Sequence, residues 1–228
     1  MRNNMKKMYL ALAIAGLLAG CATQGNNAPE KATAPAASSS MAMVTGDNLI
    51  VDPQISDFRA NSGKSDVWVK YSNKNAGLGD VGSSKVSAFQ SDEGSARLRF
   101  ISANDDFSAT PGLLQTVNGL KANTDYVYSV YFEDRKGPMS PTALLAGVQG
   151  IDGKVISEQT VTAADLADAP HADRKSFKQV VVEFNSGNNT SATVFAKLKV
   201  VDKSALDMAG NIGKQTEVRV DGFSLTAK

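Results

Sequence analysis

Residues 118–137 read NGLKANTDYVYSVYFEDRKG: a Gly-Leu turn leads through Asn-Thr-Asp into a run of alternating side chains. In an extended strand, successive side chains point to opposite faces. One face here carries Tyr126, Tyr128, Val130 and Phe132, all apolar or aromatic, so it is predicted to lie in a core. Tyr126 in that row is expected to tie its hydroxyl to nearby backbone. The other face carries Val127, Ser129, Tyr131 and Glu133, a mixture of one ring with polar groups, and is predicted to point outward.

Working outward, the same period recurs upstream in NLIV (48–51), VWVKY (67–71), KVSAFQ (85–90), ARLRFI (96–101) and LLQTV (113–117). Downstream it recurs in ALLAGVQ (143–149), KVISEQTV (154–161), FKQVVVEF (177–184), ATVFAKLKV (192–200) and TEVRVDGFSL (216–225). Clusters of Gly, Asn, Asp and Ser separate these runs. Short alternating strands at such spacing predict an all-β, antiparallel sandwich or barrel. One helix is predicted from Thr162 through Leu166, stopping before Pro170. Alternation puts Val180, Val182 and Phe184 inside, with Gln179, Val181 and Glu183 outside. It likewise puts Thr193, Phe195, Lys197 and Lys199 outside.

The N-terminus has a different character. Arg2, Lys6 and Lys7 precede the apolar run YLALAIAGLL (9–18), which is shorter than the about 20 residues that a membrane-spanning helix needs. It ends in Leu18-Ala19-Gly20-Cys21, and Cys21 is the only cysteine. This segment resembles the lipobox of bacterial lipoproteins. The resemblance implies a signal peptide over residues 1–20, acylation of Cys21, and, with Ala22 following, an outer-membrane address. It specifies neither the periplasmic nor the cell-surface side. Multiple acyl chains give stable anchoring. No second thiol is left for a disulfide, so the fold must rest on a core. Residues 21–46 are rich in Ala, Ser, Thr, Asn and Pro and read as a flexible linker. Residues 47–228 remain for one domain. The formal charge of +1, and its slight reversal once Arg2, Lys6 and Lys7 are removed, argue against nucleic acid as a partner.

The order of the strand segments resembles the jelly-roll carbohydrate-binding modules. NLIVDPQISDF with Trp68 after it resembles their opening strand and its Trp. ARLRF, LLQTVNGLKANTDYVYSVYF, FKQVVVEF and the closing VRVDGFSL resemble later segments in the same order. The resemblance covers nearly all of residues 47–228 and implies a single β-sandwich of jelly-roll type with a polysaccharide partner. Leu120 to Val130 also resembles the tyrosine-corner region of fibronectin type III domains, whose shorter modules would leave about 90 residues over. The carbohydrate-binding modules usually carry Asn-Gly-x-Phe-Glu after the first strand, and that Glu often helps bind a structural calcium. This chain has Asp52-Pro53-Gln54-Ile55-Ser56 there. Asp57 and Asp221 are left as the candidate calcium ligands; no other cofactor is implied.

A pyranose ring has a C–H face that stacks on aromatic rings and a belt of hydroxyls that need hydrogen-bond partners, since an unpaired polar group costs about 1–3 kcal/mol. Trp68, Tyr131, Glu133, Gln179 and Phe195 are therefore the candidate ligand contacts, with Trp68 equally suited to the core. Lys197, Lys199, Arg97 and Arg99 would suit an acidic polymer. Evidence for catalysis is thin. His171, the only histidine, lies in the polar loop DAPHADRK. No nucleophile elbow, phosphate-cradling loop or HExxH motif occurs. Glu133 and Glu183 could form a glycosidase-like carboxylate pair, an arrangement easily found in any β domain. The expectation is a non-catalytic, glycan-binding outer-membrane lipoprotein serving polysaccharide-degrading enzymes or an envelope matrix. The alternatives are a structural or assembly lipoprotein that binds an envelope protein, and a jelly-roll lyase or hydrolase.

Overall fold

The structure, a computed structural model, describes residues 47–90, 94–169 and 171–228. The signal peptide expected over residues 1–20, the acylated Cys21, the linker to residue 46 and the Pro170 helix stop lie outside the described residues.

In chain order come α1 (Ser56–Ala60), β1 (Val69–Tyr71), β2 (Asp80–Ser84), β3 (Ser95–Arg99), β4 (Gly112–Asn118) and β5 (Asp125–Asp134). They are followed by β6 (Thr142–Gln149), β7 (Val155–Val161), β8 (Lys178–Asn185), β9 (Ser191–Val200), α2 (Ile212–Gln215) and β10 (Val218–Ala227). Two five-stranded sheets result, in the orders β1-β4-β9-β6-β7 and β2-β3-β10-β5-β8. Every pairing is antiparallel. The inner faces of the two sheets share one hydrophobic core, so the all-β jelly-roll sandwich is confirmed.

β5 explains why the layers hold. Tyr126, Tyr128, Val130 and Phe132 are all buried, as the alternation predicts. Each large apolar side chain so buried contributes about 1.5–3 kcal/mol. The Tyr126 hydroxyl accepts from the Lys121 N–H at 2.8 Å. The Tyr128 hydroxyl crosses the core and donates to the Phe195 carbonyl on β9, 3.1 Å away. Burial pushes this phenol's pKa far up, so it stays a neutral donor. The edge strands β7 and β8 also meet. Ser157 Oγ and Gln159 Nε2 donate to the carbonyls of Glu183 and Val181, at 3.1 and 3.0 Å. These contacts protect backbone that an edge would otherwise expose.

Several segments differ from expectation. Residues 48–51 form no strand. A single backbone bond, from the Leu49 N–H to the Leu225 carbonyl at 2.9 Å, is flanked by side-chain bonds, Asn48 Oδ1 accepting from the Leu225 N–H and Gln115 Oε1 from the Val51 N–H, so no ladder develops. KVSAFQ (85–90) is a loop, pinned by the buried carboxylate of Asp221. Residues 162–166 make a turn: Asp165 Oδ2 accepts both the Thr162 N–H and its hydroxyl at 2.7 Å, closing one turn without propagating a helix. β2 (DVGSS) carries no strand signature, because Gly and Ser lack strand propensity, and pairing with β3 is what makes it a strand.

Candidate functional site

Trp68 belongs to the core: it is 2 % exposed, its ring centroid lies 4.4 Å from that of Phe223, and Nε1 donates to the Asp52 carbonyl at 3.1 Å. It is no binding platform. Tyr131 is on the outer face of its sheet, as alternation requires, but only 7 % exposed. The loop 85–90 and the segment around Phe177 close over it. Phe89 meets it edge-on with ring centroids 5.1 Å apart, and Ala88 and Phe177 complete a small separate cluster. Burial pushes its phenol pKa up.

This cover is built from specific contacts. Asp221 Oδ2 accepts the Ala88 N–H at 2.7 Å, and the Ala88 carbonyl accepts the Asp173 N–H at 2.9 Å. Asp173 Oδ2 accepts the Gln90 N–H at 2.7 Å, joining the two covering segments. At the bulge in β10, Gly222 has φ +57°, and a Cβ there would lie 2.8 Å from Phe89 and 2.9 Å from Tyr131. Only glycine fits that backbone and that space.

The other outward groups of this second sheet are neutralised in place. Glu133 and Glu217 grip the Arg219 guanidinium; Arg135 pairs with Glu217, and Asp80 faces Arg97 and Arg99. Gln179 Nε2 reaches Ser129 Oγ at 3.4 Å. Glu133 and Glu183 are each held by a cation, Arg219 and Lys228 respectively. Tyr131, Glu133 and Gln179 thus share a face, but one that is covered or paired. Phe195 lies on the other sheet and Trp68 in the core.

The calcium candidates can be tested on their surroundings. Both carboxylate oxygens of Asp221 accept backbone N–H groups, from Ala88 and Gly222. Asp57 sits exposed in the first turn of α1. Among the described residues no group of three or more His, Cys, Asp or Glu side chains could hold a metal. N–H donors have the wrong polarity for a cation that takes six to eight oxygens, so this donor set does not fit calcium.

The open face belongs to the first sheet. Cross-strand register aligns Val69, Leu114, Phe195, Gly147 and Glu158 in one row, and Tyr71, Gly112, Lys197, Leu145 and Thr160 in the next. Phe195 is outward, as expected, yet 1 % exposed. Its ring lies against the bare backbone of Gly147, where a Cβ would come within 2.6 Å of Cζ, and Lys197 Nζ covers it at 4.3 Å from the centroid. The Lys197 stem lies along Gly112 in the same way. Tyr71 is what remains accessible, at 59 % exposure, with Val69 beside it. Lys197 Nζ is 5.5 Å from the Tyr71 centroid. Burial lowers the Lys197 pKa, partly offset by Glu158.

Beside Tyr71 opens a groove of about 430 Å³, lined among others by Lys70, Ser72, Asn73, Leu78, Ser108 and Thr110. Ser108 also borders a second hollow of about 380 Å³ with Asp106, Phe107 and Lys203. An exposed ring next to hydroxyl and amide groups can stack on an apolar face and hydrogen-bond its polar rim. Tyr71 is the residue the sequence reading missed. The available signal was Trp68: with Trp68 inside, Val69 and Tyr71 alternate onto the outer face.

No family model and no curated protein matches the chain. Solved structures do. The enzymatically active domain of tailspike protein 4 of bacteriophage CBA120 is 9 % identical over 79 % of this chain and 21 % of that one, with a TM-score of 0.51. An arabinose-bound GH51 α-L-arabinofuranosidase is 15 % identical over 81 % of this chain and 27 % of that one, with a TM-score of 0.49. A CBM61 module in complex with β-1,4-galactotriose is 16 % identical over 80 % of this chain and 99 % of that one, also at 0.49. The chain spans only 27 % and 21 % of the lengths of the arabinofuranosidase and the tailspike domain. The likeness is one of fold.

Proposed function

We propose that the chain is a non-catalytic glycan-binding lipoprotein of the outer membrane, which holds polysaccharide on the outer face of its first sheet. The observation that carries this reading is Tyr71: a ring 59 % exposed on a strand, beside a groove rimmed by Ser72, Asn73, Ser108 and Thr110. The ring supplies the stacking surface and the groove supplies partners for sugar hydroxyls. Trp68 in the core and Phe195 on the same sheet support the binding face, while Tyr131 belongs to the covered face of the second sheet. The Leu18–Cys21 segment supports the anchor, and the long polar linker gives the domain reach.

Affinity electrophoresis of the full-length chain through gels containing xylan, β-1,4-galactan, alginate or laminarin tests the reading. Retardation by at least one polymer is expected, with a tenfold or greater loss of affinity in Tyr71→Ala. A clean pull-down of an envelope protein with no retardation on any polymer would favour the assembly alternative. New reducing ends or unsaturated products would overturn the non-catalytic part. For the anchor, Cys21→Ser should abolish labelling by a radioactive fatty acid and release the chain from the membrane fraction.

A further inference from the structure

The two outer faces treat their cations differently. On the second sheet Arg97, Arg99, Arg135 and Arg219 all have carboxylate partners. On and around the open face, Lys70, Lys197, Lys199 and Lys203 take part in none of the ion pairs among the described residues. Two nearby carboxylates are engaged by backbone and hydroxyl donors. Asp105 accepts the N–H groups of Ile101 and Ser102, at 2.8 and 3.0 Å. Asp106 accepts the N–H and hydroxyl of Ser108, at 2.9 and 2.6 Å. Glu158 is exposed on the face but not within ion-pair distance of Lys197.

We infer that the glycan taken by this face is acidic, a polymer bearing uronic-acid carboxylates, and that Lys197 is the ammonium that receives a carboxylate while Tyr71 stacks on a sugar ring. The inference rests on the glycan-binding reading above and sharpens it to a substrate class. Lys197 is held between two rings, 4.3 Å from the Phe195 centroid and 5.5 Å from that of Tyr71. A carboxylate projecting from the edge of a sugar on Tyr71 is therefore within reach of it. The rings and the bare backbone of Gly112 fix the long stem, so little side-chain freedom remains to be lost on binding. Partial burial also removes water from the ammonium, which strengthens a charge-assisted hydrogen bond to an incoming anion. Lys70 at the groove and Lys203 at the adjoining hollow, which Asp105 and Asp106 also line, offer further ammonium groups beyond Lys197.

The test compares the full-length chain on polygalacturonate and alginate with neutral β-1,4-galactan and xylan, and with dextran sulfate as a charge-only control. The expected result is tightest binding to a uronate polymer, weakening steadily as salt rises. Lys197→Met keeps the stem that covers Phe195 and removes the charge. It should weaken uronate binding about tenfold, the effect of losing a hydrogen bond to a charged group, with no change on neutral polymers. The salt dependence of the unmodified chain gives a second readout should the variant fold poorly. Neutral polymers bound as tightly as uronates, an unchanged affinity in a folded Lys197→Met, or equal retention by dextran sulfate would each overturn the acidic assignment and leave glycan binding standing. Retention by none of the polymers would overturn both.

Discussion

Tyr71 and Tyr131 are both outward tyrosines on β-strands, yet one is 59 % exposed and the other 7 %. Around Tyr131, a bulge at Gly222 makes room, Asp221 anchors Ala88, and two loops join through Asp173 to form a cover. Around Tyr71 nothing comparable is built among the described residues, and the neighbouring Phe195 and Lys197 are laid flat on Gly147 and Gly112. The difference is that strand period sets direction alone. Whether an outward side chain meets solvent depends on what folds back over it.

This contrast can be broken most forcefully from the covered side. Tyr131→Ala removes a buried ring and should cost about 3–5 kcal/mol, read as a fall in the urea midpoint, while glycan retention under native conditions stays intact. A folded variant that loses retention would move the binding site to the second sheet. Gly222→Ala adds a Cβ to a left-handed residue against Phe89 and Tyr131, and should cost about 2–3 kcal/mol by the same measurement. An unchanged midpoint would show that the cover yields freely. On the open side the expectations reverse. Tyr71→Ala should move stability by no more than about 0.5 kcal/mol while removing most of the affinity. Smallest of all, Gln179→Ala should change neither stability nor binding beyond about 0.5 kcal/mol, because its contact to Ser129 is long, at 3.4 Å, and only partly buried. A large loss of binding there would restore the original candidate site.

Much of the fold was legible because β alternation is local. The inward rows of β5 and β8 and the outward row of β9 fall where their period puts them. Segments whose structure depends on distant partners were not legible. DVGSS becomes β2 through pairing with β3, and KVSAFQ becomes a loop because Asp221, far along the chain, holds it. The candidate site suffered more than the fold. Tyr131, Glu133 and Gln179 were correctly assigned to a common outward face, but the cover and the arginine network that occupy it are long-range constructions. Glu133 could not reveal from its neighbours in sequence that Arg219 would claim it.

By itself, the sequence determined an all-β chain, the facing of its principal strands, and a core that includes Tyr126 and Tyr128. These follow from side-chain period and apolar character, which act over a few residues. Only the tertiary structure decided which outward ring stays open. That outcome depends on loops from residues 85–90 and 171–177 meeting over one sheet, and on glycines in neighbouring strands flattening Phe195 and Lys197 on the other. Such contacts join residues far apart in the chain, and no local pattern encodes them.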